Sequence, residues 1–121
     1  MQTQTTTHGF TKTDRLLTAG EFQRVFAAPI KKIHTAHLLA FIAKNDGNTA
    51  RLGLAITKKK LKKAVDRNRI KRLTREQFRQ SKTNLAGIDM VVIVKVGYDR
   101  AFDIAPEVAE MFSKINKLYG K

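Results

Sequence analysis

The spacing of apolar residues changes several times along the chain, and each change marks a new element. Thr18-Ala19-Gly20-Glu21 has the form of a capping box, in which the Thr hydroxyl and the Glu carboxylate satisfy exposed amides at a helix start. The helix it opens carries Phe22, Val25 and Phe26 on one face, and Pro29 closes it. From residue 37 to 43 the period drops to two, with Leu39, Phe41 and Ala43 on one face and Leu38, Ala40 and Ile42 on the other. Asn45-Asp46-Gly47-Asn48 reads as a turn in which Asp-Gly favours positive φ. Leu52, Leu54 and Ile56 then alternate with Gly53, Ala55 and Thr57. The pattern predicts two antiparallel strands across this turn, with a short extra strand near residues 30 to 33.

A helical period returns within the basic segment, over residues 68 to 79. Ile70, Leu73 and Gln77 share one side with Thr74 and Phe78 beside them, while Asn68, Arg72, Arg75 and Arg79 lie opposite with Lys71 at the edge. The run Met90 to Val96 is β-branched over most of its length, which suits a strand covered on both faces. Pro106 fits the first turn of a last helix, Val108, Phe112, Ile115 and Tyr119 form its packing stripe, and Gly120 ends it. The predicted order is α-β-β-β-α-β-α, an α+β domain over residues 15 to 121, preceded by a flexible polar arm over residues 1 to 14.

Charge sharpens this picture. The chain of 121 residues carries a formal net charge of +14. Twelve of its 24 Lys and Arg residues fall between Lys58 and Lys82, opposed there only by Asp66 and Glu76. A charge kept for solubility would be spread more evenly, so this concentration points to a polyanion, with nucleic acid ahead of a membrane surface. Like charges three and four residues apart on one helix repel, and an anion that neutralises them removes that cost.

Other chemistries find little support. There is no cysteine, so disulfides and thiolate metal sites are excluded. No apolar run approaches the roughly 20 residues that span a bilayer. The start of the chain is polar, unlike a signal peptide, and a cytoplasmic protein is expected. His34 and His37, placed on one strand, would face opposite ways, and Glu107 and Glu110 suit the dipole at a helix start. No catalytic constellation and no set of metal ligands can be named.

The basic segment also carries a resemblance. Arg15-Leu16-Leu17 with Phe22 and Phe26, Arg51-Leu52-Gly53-Leu54-Ala55-Ile56, Lys58-Lys59, and Arg67-Asn68-Arg69-Ile70-Lys71-Arg72 with Leu73 to Glu76 together resemble the bacterial ribonuclease P protein family. Asp89 to Val94 supplies a later strand of the same pattern, so the likeness covers about residues 14 to 119. It implies a ribosomal protein S5 domain 2-like fold, in which a sheet of about four strands places the last strand beside the Leu-Gly-Leu strand through a left-handed β-α-β crossover.

The resemblance further implies the protein subunit of an endonuclease that removes the 5′ leader of precursor tRNA. The RNA subunit, with Mg2+, does the chemistry, and the protein has no catalytic residue. Carried over, Arg67, Asn68, Arg69, Lys71, Arg72, Arg75 and Arg79 contact the RNA subunit. Phe22, Phe26 and Phe41, with Lys58, Lys59 and Lys60 at the rim, line a cleft for the leader, as stacking on aromatic faces in a basic groove suits single-stranded RNA. Lys60-Leu61-Lys62-Lys63 departs from the family, in which many members have Gly soon after the Lys pair. A ribosomal protein or general RNA chaperone is the alternative that charge alone would allow.

Overall fold

The computed structural model describes residues 15, 18–45, 47, 49–85 and 87–120. The N-terminal arm expected over residues 1 to 14 lies outside the described residues. The elements are α1 (Ala19–Ala27), β1 (Lys31–His34), β2 (Leu38–Lys44), β3 (Arg51–Ala55), α2 (Ala64–Ser81), β4 (Ile88–Val94) and α3 (Ala105–Tyr119), with a 3-10 turn at Lys82–Asn84. This is the predicted order.

The pairing of strands differs from the expectation. β2 and β3 do not form a hairpin, because β4 lies between them in the order β1-β2-β4-β3. β4 runs antiparallel to β2, from Leu38↔Val94 to Lys44↔Ile88, and parallel to β3, from Arg51↔Asp89 to Ala55↔Ile93. The reason is burial. Only Ile93 of its seven residues is even partly exposed, so β4 needs cover on both faces and a hydrogen-bonded neighbour on both edges. The parallel β3–β4 pair is connected through α2.

Gly47 accordingly does not take the positive φ expected of it. Gly87 does, at φ 87°, on the turn into β4. Its backbone N–H donates to Thr49 O at 3.3 Å and its carbonyl accepts from Asn45 N at 2.9 Å, so the turn is tied to the 45–50 connection.

The two faces of the sheet are covered differently. Leu38, Ala40 and Ile42 of β2 join Met90, Val92 and Val94 of β4 in the main core, against Ile70 and Phe78 of α2 and Met111, Phe112 and Ile115 of α3. On the opposite face, α1 packs Val25 onto Ala43 and Val91. α2 starts at Ala64, earlier than the Asn68 suggested by the cationic pattern, and buries Ile70, Thr74, Phe78 and Ser81. Leu73 and Gln77 are only half-buried. The buried stripe thus follows i,i+4 spacing, and Thr74 is accommodated by donating its hydroxyl to Ile70 O at 2.7 Å.

One buried carboxylate fixes α1 on the sheet. Asp89, fully buried at the start of β4, accepts from Arg51 Nε and Nη2 at 2.9 and 2.8 Å and from Asn45 Nδ2 at 2.8 Å. Arg24 of α1 donates to it as well and pairs with it. Burial pushes the Asp89 carboxyl up, but the hydrogen bonds from Arg51, Asn45 and Arg24 and the Arg51 charge outweigh it and hold the group below the usual carboxylate range. Arg51 also reaches Glu21 at 2.8 Å. Glu21 is meanwhile the second half of the predicted capping box, accepting from Thr18 N at 3.0 Å while Thr18 Oγ1 accepts from Glu21 N at 3.1 Å.

A second buried carboxylate pins α3 to the β1–β2 connection. Glu107 does not serve merely as a helix-start charge alongside Glu110, as expected. It is 7% exposed and accepts from Thr35 Oγ1 and His37 N, both at 2.6 Å, with His37 Nδ1 at 2.8 Å from its other oxygen. Burial raises its pKa, and the bonds from Thr35 and His37 outweigh that and lower it. His34 ends β1 and His37 lies in the turn before β2, so they do not share a strand. Glu110 is exposed and pairs with Lys114.

Two outcomes follow from these carboxylates. Asp89→Ala should destabilise the protein by about 3 kcal/mol, the low end for a broken buried pair because both guanidiniums keep some water; urea denaturation checks this. Both carboxyls have folded pKa values below their unfolded ones, so their stabilisation is full above the ordinary carboxylate range and is lost as pH falls through the folded values. Glu107→Gln should therefore flatten the acid side of a stability-versus-pH curve relative to the wild type.

Candidate nucleic-acid interface

α2 owes its exposed cationic row to its packed side. With Ile70, Thr74 and Phe78 held in the core, Asn68, Arg72, Arg75 and Arg79 all face solvent, and Lys71 is half-buried at the edge. Among the described residues neither Arg72 nor Arg79 forms an ion pair. Successive members stand roughly one turn apart, about 5.4 Å along the axis, which is the scale on which phosphates repeat along a strand.

Arg67 and Arg69 are engaged differently. Arg67 Nη1 donates to Leu61 O and Lys62 O, both at 2.8 Å, so this arginine ties the first turn of α2 to the loop before it. Arg69 pairs with Asp103 at 2.7 Å, joining α2 to the loop that precedes α3. The sequence signature thus divides into residues that hold the helix and residues displayed by it.

The lysine-rich loop is organised by a single apolar residue. Leu61 is 2% exposed and belongs to the main core, which leaves Lys58, Lys59, Lys60, Lys62 and Lys63 in solvent around it. Burying one Leu side chain contributes about 2 kcal/mol, enough to set which side chains of the loop face inward. Lys59, Lys60, Lys62 and Lys63 line a cleft of about 520 Å3 with Tyr98 and Arg100. The backbones of its two loops touch there: a Cβ on Gly97 would stand 2.5 Å from Lys60 O. Burial, with the nearby Asp66 and Glu107 charges, pushes the Tyr98 hydroxyl up to about 12.

The three phenylalanines lie between α1 and the sheet. Phe22, Phe26 and Phe41 are all half-buried, and with Ala55 and Ile93 they surround the Val25, Ala43 and Val91 cluster. The Phe26 and Phe41 rings meet edge to face, 4.9 Å apart at 86°. Lys32 Nζ stands 5.6 Å from the Phe41 centroid. None of the three lines the lysine cleft beside Tyr98. Lys32 is a cation at this groove that the sequence reading passed over. β1 pairs Lys32 with Phe41, and the register of so short a strand is not encoded locally.

Among the described residues no group of three or more His, Asp or Glu side chains is placed to hold a metal ion, and no helix is long and apolar enough to cross a membrane. Asp89 and Glu107 are both engaged in holding elements together.

Comparison with known proteins accounts for this arrangement. The Ribonuclease P family model matches residues 10–120. A Psychrobacter ribonuclease P protein component is 41% identical over 112 residues, covering 91% of this chain and 86% of that protein. Its Pseudomonas aeruginosa counterpart is 44% identical over 108 residues, covering 89% and 78%. Among solved structures, the RNase P protein of Staphylococcus aureus superimposes with a TM-score of 0.66 at 26% identity, covering 91% of this chain and 92% of that one. That of Thermotoga maritima gives 0.62 at 27% identity, covering 87% and 94%. The chain belongs to the ribonuclease P protein family and is the protein subunit of the enzyme that processes precursor tRNA, whose catalysis resides in the RNA subunit.

Proposed function

We propose that the exposed row of α2 binds the RNA subunit while the aromatic groove beside α1 holds the 5′ leader of precursor tRNA. One observation carries the reading: the two surfaces lie on opposite sides of one sheet. α2 packs on the face that holds the main core, and α1 packs on the other. Both RNAs can therefore be bound at once without competing for the same residues.

Asn68, Lys71, Arg72, Arg75 and Arg79 neutralise phosphates of the RNA subunit, with Arg supplying a planar fork for two oxygens. Arg67 and Arg69 act on that surface by setting the pitch and position of the helix. Phe22, Phe26 and Phe41 offer ring faces and edges to unpaired bases, and Lys32 supplies the charge above them. The turn Lys58 to Lys60 follows β3 and guides phosphates past the end of the sheet. Mg2+ acts through the RNA, where bound phosphates provide its ligands, and the cytoplasm is the compartment of the assembly. Residues 15 to 121 form the functional domain, preceded by the polar arm.

The primary test is cleavage of precursor tRNA by a bacterial ribonuclease P RNA at low Mg2+, with and without this protein. Strong stimulation is expected, and its absence would overturn the reading. Arg72→Ala/Arg75→Ala should weaken binding of the RNA subunit about tenfold or more and reduce the slope of log affinity against log salt by roughly 2. Phe41→Ala should cost about 1–3 kcal/mol of leader affinity while leaving the affinity for mature tRNA unchanged, as measured by paired titrations of the assembled enzyme.

A further inference from the structure

A second basic groove lies at the far edge of the sheet from α2. β1 is the edge strand, and α3 packs beside it. Lys31, Lys32, Lys114 and Lys117 surround a groove of about 300 Å3 with Ile33 and Leu118. Leu118 is 54% exposed, so an apolar surface is left open among four cations. Lys114 is held in place, donating to His34 O at 3.0 Å and pairing with Glu110 at 3.2 Å. Among the described residues neither Lys31 nor Lys117 forms an ion pair.

Lysines on an edge strand also discourage unwanted strand pairing. That role accounts for Lys31 and Lys32 but not for Lys114 and Lys117, which come from a helix. A basic groove that tracks the backbone is what carries a single strand past the aromatic residues that stack its bases, and here the lysines supply that track beside the exposed Leu118.

The groove is continuous with the aromatic one. β1 alternates, so Lys31 and Ile33 pair with Ile42 and Ala40 on the core side, while Lys32 and His34 pair with Phe41 and Leu39 on the α1 side. Lys32 thus stands over Phe41 and also lines the edge groove. A strand lying across Phe22, Phe26 and Phe41 away from β3 passes Lys32 and meets Lys31, Lys114 and Lys117 next.

We propose that the β1–α3 groove binds the leader of precursor tRNA upstream of the nucleotides held by the aromatic groove, extending the substrate site around the edge of the sheet. The direction follows from the fold. α2, to which the RNA subunit is assigned, lies toward β3, so the edge at β1 is the part of the sheet farthest from that subunit and receives the more distant nucleotides. The inference rests on the assignment of the aromatic groove to the leader, and its test separates the two.

The enzyme assembled with a bacterial ribonuclease P RNA is titrated with precursor tRNAs bearing leaders of about 4 and about 12 nucleotides, the range over which single-strand sites differ in size. Lys31→Ala/Lys117→Ala should weaken binding of the long leader about 5- to 20-fold and lower its salt slope by about 1.4, two single-strand phosphate contacts. The short leader should bind as it does to the wild type. Lys31→Arg/Lys117→Arg should restore the long-leader affinity and Lys31→Met/Lys117→Met should not, whereas a packing role for the lysine stems alone would let Met restore it as well. Equal losses for both leaders, or none for the long one, overturns the proposal. If Phe41→Ala weakens the short leader while the lysine variant changes nothing, the aromatic groove stands and the extension falls. If neither variant alters leader affinity, the underlying assignment falls with it.

Discussion

Asp89 is a buried carboxylate at the head of the central strand, and it is met by groups from three other parts of the chain: Arg24 on α1, Arg51 on β3 and Asn45 after β2. A carboxylate at full burial is tolerated only when its oxygens are occupied and its charge is balanced. Satisfying it therefore draws the start of β3 and the last turn of α1, which carries Arg24, to one end of the sheet. Arg51 extends the constraint by reaching Glu21, which is at the same time locked into the capping box with Thr18. The position of α1, and so the width of the groove between its phenylalanines and the sheet, is set by this network together with the apolar cluster around Val25.

Two further polar contacts fix the remaining helices. Glu107 joins α3 to the β1–β2 turn, and Arg67 joins the start of α2 to the lysine loop. Each of these charged groups spends its hydrogen-bonding capacity inside the protein. The cations that remain displayed are those whose neighbours on the same helix or strand are buried: Arg72 and Arg79 opposite Ile70 and Phe78, and Lys58 to Lys63 around Leu61. Packing thus decides which members of a dense basic segment are available to RNA.

The central strand has a second consequence. By lying between β2 and β3 it puts the elements on either side of the sheet into register with one another. The helix layer of α2 and α3 and the single helix α1 are then rigidly related through one set of strands. The two surfaces proposed to bind RNA are thereby positioned relative to one another by the sheet itself.

The order of the elements, the capping box at Thr18, the two faces of β2, the double-sided burial of β4 and the concentration of charge between Lys58 and Lys82 were all legible in the sequence. They depend on local spacing, on neighbouring residues and on summed charge, which a linear chain records. The neighbour of β3 was not legible from periodicity, because alternation reports which face a residue occupies and says nothing about which strand lies alongside; only the family likeness pointed to β4. Glu107 read as an ordinary helix-start acid because its partners, Thr35 and His37, are some 70 residues away in sequence. The separate duties of Arg67 and Arg72, the exposure of the three phenylalanines and the meeting of Lys31 with Lys117 arise only when distant segments pack. Sequence determined which residue types this protein has for binding RNA, and tertiary structure decided which of them face outward together, because burial and long-range pairing are properties of the assembled core.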